Sequence, residues 1–156
     1  MAEITAPSPP RPTPRGMRVM NRLPMLLLKS PAHGIVSRKL LLLTFTGRKS
    51  GKRHTLPVGY AREGDTVLIG AAGPWWKNLS GGARVTVLLR GRERTGSAEV
   101  VTNQAEMAPL YRTLLAQNPT HGRFVSIRRE PDGMPNADDL ARAVGRGVAV
   151  VRIRLD

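Results

Sequence analysis

Between residues 39 and 102 apolar and polar positions change over in short runs of strand length, each bounded by glycine, proline or a charged turn. Residues 39–46 open on Leu40, Leu41, Leu42 and Leu43 and close on Thr44, Phe45 and Thr46, a run suited to a buried strand. A partner strand is predicted over 53–61, and Glu63-Gly64-Asp65 marks the next hairpin turn. A largely apolar strand follows over 66–72. Gly73 and Pro74 break it, and 74–79 reads as a short helix opened by proline and closed before Gly81-Gly82. Residues 84–89 put Val85, Val87 and Leu89 on one face, and a turn centred on Gly91 leads into a strand over 94–102.

From Asn103 the period lengthens. Met107, Leu110, Tyr111, Leu114 and Leu115 recur at helical spacing and stop near Asn118-Pro119. Residues 119–135 read as a loop rich in proline, glycine and charge. Residues 136–144 read as a short helix with Asn136 or Asp138 near its start, and 148–155 as a final strand. Short, closely spaced strands with one inserted helix and one late helix predict a mainly β, α+β fold, a small antiparallel barrel. No GxGxxG and no P-loop is present, so the parallel nucleotide-binding folds lose their main support.

Ahead of the barrel, residues 1–16 carry Pro7, Pro9, Pro10, Pro12 and Pro14 and are expected to be a disordered tail, with residues 17–156 forming one domain. Residues 17–29 mix Arg18, Arg22 and Lys29 with apolar side chains around Pro24, predicting a short or kinked N-terminal helix. It either covers a mouth of the core or lies on an anionic membrane surface, the first being preferred. Its apolar run is too short for a signal core or a membrane span, so a cytoplasmic protein is expected, with peripheral membrane contact through this segment left open.

The formal net charge of +14 and pI near 11.6 call for an anionic partner: nucleic acid, a membrane surface or a polyanionic small ligand. Aromatic residues make up only 4% of the chain, too few to interleave with the cations as base-stacking platforms, so no specific nucleic-acid partner is expected. The chain has no cysteine, which removes thiolate catalysis, disulfides and cysteine zinc sites. His33, His54 and His121 are far apart and no HExxH spacing occurs, so no metal is expected either.

The densest chemistry lies between the first two strands. Gly47 and Gly51 bound a turn that carries Arg48, Lys49 and Ser50 and is followed by Lys52 and Arg53. Glycine lets the backbone approach a ligand closely, and cations beside a hydroxyl and turn amides suit an anion. An ordinary soluble turn has the same composition, so the pattern alone leaves both readings open.

Two motifs together carry a resemblance. Leu42-Leu43-Thr44-Phe45-Thr46-Gly47-Arg48-Lys49-Ser50-Gly51 with Arg53, Pro57 and Tyr60 is one. Trp75-Trp76-Lys77-Asn78-Leu79, similar to a Trp-Tyr-x-Asn-Leu helix start, is the other. In order and spacing they resemble the deazaflavin-dependent nitroreductase and quinone reductase family, whose members use coenzyme F420 and adopt the FMN-binding split-barrel fold. The resemblance implies a split β-barrel that passes a hydride from reduced deazaflavin to an electron-poor acceptor: a quinone, a nitroaromatic or an activated enone. It assigns Arg48, Lys49 and Arg53 to the anionic parts of the cofactor, with Ser50 and Gly51 giving close backbone approach. Trp75, Trp76 and Asn78 fall at the cofactor pocket.

On the acceptor side, His121 stands where the family often places a tyrosine hydroxyl, able to hydrogen-bond or protonate a substrate, and Tyr60 is a second residue expected to touch it. Tyr111 is either a further substrate contact or a helix-core residue. The resemblance also implies a homodimer paired through the sheets, and it leaves FMN as the alternative cofactor. One departure is the loop before the tryptophans, which is contracted to Ala71-Ala72-Gly73-Pro74 and lacks the family's serine and lysine. It keeps a second reading in play, a non-catalytic split barrel that binds a lipid or flavin.

Overall fold

The computed structural model describes residues 39–156; the tail over 1–16 and the helix expected over 17–29 lie outside the described residues. Seven strands form one antiparallel sheet: β1 (Leu40–Thr46), β2 (Arg53–Gly59), β3 (Ala61–Glu63), β4 (Thr66–Ala71), β5 (Arg84–Leu89), β6 (Arg92–Val101) and β7 (Ala149–Leu155). Their spatial order is β2-β1-β5-β6-β7-β4-β3. The sheet curls until β2 comes alongside β4, leaving an open seam rather than a closed barrel. A 3-10 helix (Pro74–Leu79) links β4 to β5. Three helices, α1 (Gln104–Gln117), α2 (Pro119–Val125) and α3 (Ala137–Gly145), lie between β6 and β7.

Strand periodicity sorts side chains into two cores on opposite faces of the sheet. Inside the curl, Leu41, Leu43 and Phe45 of β1 meet Val67 and Ile69 of β4, Val85 and Val87 of β5, and Val151 and Ile153 of β7. On the outer face, Leu68 of β4 and Val150 of β7 pack with Met107, Tyr111 and Leu114 of α1 and Leu140 of α3. Each fully buried aliphatic side chain contributes roughly 1.5–3 kcal/mol. The doubly apolar character of β4 and β7 follows from this: they are covered on both sides, whereas the polar outer positions of β1 and β2 are not.

Local chemistry sets the ends of these elements. The β5–β6 hairpin turns on Arg90 and Gly91, both with positive φ (51° and 76°). Asn103 caps α1 by accepting from the Glu106 amide at 3.2 Å, and Asn136 caps α3 by accepting from the Asp139 amide at 2.9 Å. Pro57 is accommodated because β2 is an edge strand, where a missing N–H need not break a ladder.

Two expectations change. The strand predicted over 53–61 is interrupted at Tyr60, after which β3 leaves β1 and pairs with β4 instead. The loop predicted from 119 begins with α2. Pro119 stands at its first position, where the absent N–H is unneeded, and His121, Gly122 and Val125 are buried against the body of the fold.

Candidate active-site cleft

A cleft of about 800 Å³ opens where the sheet fails to close. One wall is Leu56, Pro57, Val58 and Gly59 of β2; the other is Gly70 of β4 and, beyond it, Trp75 of the 3-10 helix. The floor and far rim come from Asn118, which precedes α2, and from Thr120, His121 and Phe124 along it. The lining is mostly aliphatic and aromatic, with Lys39 as its one cation among the described residues. Phe124 is 76% exposed at the mouth, the one large hydrophobic side chain so exposed among the described residues.

Deep in the cleft, His121 meets Tyr111. The tyrosine hydroxyl and His121 Nε2 are 3.0 Å apart, and the two rings stack at 5.7 Å. Gly70 makes room for the pair: a Cβ there would lie 2.0 Å from His121 Nε2 and 2.8 Å from the Tyr111 hydroxyl. Burial lowers the His121 pKa from 6.5 to about 4 and pushes that of Tyr111 up, because neither ring's charged form is solvated there. At neutral pH the imidazole is therefore uncharged, suited to hydrogen bonding rather than to acting as a resting acid. Asn118, also buried, donates from Nδ2 to the Lys39 carbonyl at 3.2 Å and stands 3.5 Å from the Tyr60 carbonyl, so it ties α2 to the start of β1 and the end of β2.

The two sequence motifs meet at the other end. The amide of Arg48, in the β1–β2 turn, donates to Asn78 Oδ1 at 3.0 Å, and Asn78 Nδ2 donates to the Trp75 carbonyl at 2.9 Å. Trp75 stacks on Phe45 with centroids 5.9 Å apart. Asn78 thus clamps the basic turn against the helix whose first tryptophan walls the cleft. Within the turn, Gly51 takes φ +68°, and a Cβ on Gly47 would stand 2.7 Å from Ser50 Oγ. Ser50 Oγ accepts from the Lys52 amide at 3.2 Å.

Several expected residues are not brought into the cleft. Trp76 turns away and donates from Nε1 to the Gly147 carbonyl at 2.9 Å, tying the helix to the loop before β7. Tyr60 is buried in the inner core. Arg53 pairs across from Thr46 and sits beside Thr44, Thr86 and Thr95 in a shallow depression on the outer face of the sheet. Its neighbour His54 instead packs near Phe45, with centroids 5.5 Å apart. Asn118, Thr120 and Phe124, from the stretch around His121 that the resemblance set on the acceptor side, line the cleft with it, and the structure adds Gly70. Gly70 did not stand out in the sequence, because it owes its place to contacts across the fold.

Comparison with known proteins bears directly on this arrangement. Residues 23–129 match the model of a family described as F420H(2)-dependent quinone reductase, a span that includes both motifs and every described residue lining the cleft. The chain belongs to the F420H2-dependent quinone reductase family. As a member of that family of F420H2-dependent reductases, it is an enzyme. A comparison with curated proteins finds no match. Solved structures share the fold at low identity. An F420-H2 dependent reductase (FDR-A) is 16% identical with a TM-score of 0.53, over 74% of this chain and 94% of that one. A protein described as a domain-swapped dimer is 15% identical with a TM-score of 0.53, over 90% of this chain and 99% of that one. Atu2129 of Agrobacterium tumefaciens str. C58, of unknown function, is 18% identical with a TM-score of 0.52, over 83% of this chain and 56% of that one.

For a member of this family, the residues around the cleft fit the coenzyme's chemistry. A cavity of about 800 Å³ is of the size that takes a cofactor-sized molecule. Trp75, backed by Phe45, offers a flat aromatic face, and the basic turn is bonded through its backbone to the same helix, while Arg48, Lys49, Ser50, Gly51 and Asn78 themselves do not line the cleft. Among the described residues no helix is long and apolar enough to cross a membrane.

Proposed function

We propose that this family member reduces an electron-poor organic acceptor, a quinone first and a nitroaromatic or activated enone second, with cofactor and acceptor held together in the cleft. When bound, F420H2 would supply the hydride. The observation that carries this reading is the apolar, ring-walled cleft with a neutral imidazole at its depth and a basic turn clamped to its edge. In it Trp75 would pack on the cofactor, while Arg48 and Lys49 on the turn would neutralise its anionic tail. The aliphatic wall from Leu56 to Gly59 would exclude water and press the acceptor close, since hydride transfer requires donor and acceptor near contact distance.

His121 would hydrogen-bond the acceptor oxygen as negative charge develops on it, with the Tyr111 hydroxyl, buried behind the ring, donating to Nε2 and so leaving the imidazole proton on Nδ1. Asn118 is the positioning residue that holds α2, and with it His121, at the cleft floor. Arg53 would act at longer range, through charge alone. FMN is the competing cofactor; it carries a single phosphate where F420 carries a phosphodiester and a polyglutamate tail, so it would make less use of the cationic turn.

The test is a titration of the purified protein, and of a Trp76→Phe variant whose one tryptophan is Trp75, with oxidised and reduced F420 and with FMN, followed by tryptophan fluorescence, alongside turnover of a short-chain quinone. Quenching by the deazaflavin with micromolar affinity and F420H2-dependent quinone reduction are the expected results. An unresponsive tryptophan in the variant, or an acyl ligand that copurifies and cannot be displaced, would refute the reading.

A further inference from the structure

A second cavity, of about 790 Å³, lies across α2 from the cleft. The short helix is a wall shared by both: Thr120, His121 and Phe124 face one side, and Pro119, Gly122 and Arg123 the other. Arg123, Arg128, Arg129, Arg142 and Arg146 surround the second cavity, with Asp139 as its one carboxylate among the described residues. Leu115 and Ile127 supply apolar floor. We propose that this crevice is a separate binding site for a phosphate-bearing ligand.

Charge and preorganisation support this together. Asp139 is buried and is shared by two guanidinium groups: it accepts from Arg128 Nε at 2.8 Å and from the Arg128 amide at 3.0 Å, and it ion-pairs with Arg142. One carboxylate therefore fixes two cations in place and neutralises only one of them. The side chains of Arg128 and Arg142 remain 74% and 62% exposed, so their outward N–H groups stay available. Arg146 donates to the neutral Val125 carbonyl at 2.7 Å, which orients it without cancelling its charge. Arg123 and Arg129 form no ion pair with a carboxylate among the described residues. Glu130 and Asp138 are the further carboxylates whose field reaches Arg128; the first is occupied by Asn136 Nδ2 at 2.6 Å.

Planar guanidinium forks fixed around a pocket match the oxygens of a phosphoryl group, which accept paired hydrogen bonds. No aromatic ring lines the crevice among the described residues, so stacked nucleobases are a poor match and a compact phosphorylated molecule a good one. This inference does not rest on the cofactor reading of the cleft.

The experiment titrates pyrophosphate and glycerol phosphate into the full chain at low salt by calorimetry, with backbone amide shifts followed by NMR. Saturable binding at one site is expected, with shifts centred on Arg123 and Arg129. The double variant Arg123→Gln, Arg129→Gln should weaken binding by roughly tenfold or more. A control, Arg90→Gln with Arg92→Gln, removes equal charge from the β5–β6 turn and should leave affinity unchanged. All four side chains are exposed, so folding is not at stake. Vesicles of phosphatidylcholine with and without phosphatidylglycerol separate two sources of the phosphate. Capture by the anionic vesicles that the same double variant abolishes would assign it to a lipid headgroup, and pyrophosphate binding without capture would assign it to a soluble ligand. Equal weakening by both double variants, displacement of the anion by F420, or no binding at all would overturn the proposal.

Discussion

His121 lines the cleft, and burial decides what its ring can do. Its pKa falls from 6.5 to about 4, so the unfolded chain takes up a proton between those values while the folded one does not. The folded state is therefore at full strength above about pH 6.5 and loses about 3 kcal/mol as the pH falls toward 4. Urea unfolding at stepped pH should show this slope, and His121→Phe should flatten it. Asp139 and Asp156, held below the usual carboxylate range by their arginine partners, add losses only at still lower pH. The same His121→Phe variant should lower quinone turnover by about tenfold or more while sparing cofactor affinity, measured by steady-state kinetics and fluorescence titration. Gly70→Ala tests the pair from the other side. Its methyl group would occupy the imidazole's place, so the ring must move; a loss of about 1–3 kcal/mol in stability is expected, together with most of the turnover.

Among the elements, the 3-10 helix and α2 supply the cleft's aromatic rings, and they differ in how far the sequence revealed them. Pro74 and the flanking glycines announced the first, and the strands around it were legible from their period-two runs and turns. Placing Asn78 was harder, because its partner is the Arg48 amide, thirty residues back along the chain. Asn78→Ala should free the basic turn and weaken deazaflavin binding several-fold, whereas Trp76→Phe should cost about 1 kcal/mol of stability and leave binding alone. Thermal unfolding and a fluorescence titration on both variants distinguish clamp from tether. Proline and glycine at 119 and 122 hid α2, since both usually punctuate loops. Here the proline sits where helices begin, and a Cβ on Gly122 would come within 2.5 Å of Leu115, so the glycine is a packing requirement. Asn118 was legible as a helix stop and a neighbour of His121, not as a tie. Its buried amide answers carbonyls of Lys39 and Tyr60, long-range partners that no local pattern encodes.

At the scale of the whole molecule, the charge of +14 is spread over several surfaces rather than gathered at the cleft. The turn beside Trp75, the outer face around Arg53 and the crevice beyond α2 each hold a share. Cofactor affinity should consequently fall with added salt, and Lys49→Ala should reduce it more than Arg53→Ala, which acts from the far face of the sheet; titrations at two ionic strengths check both. Pro57 has a wider effect. In an edge strand beside an open seam, it withholds one of the N–H groups that an incoming chain would need in order to extend the sheet. The rim of the cleft thus also blunts an exposed strand edge beside the seam, so that edge-to-edge extension of the sheet into a fibre is disfavoured where the curl stays open.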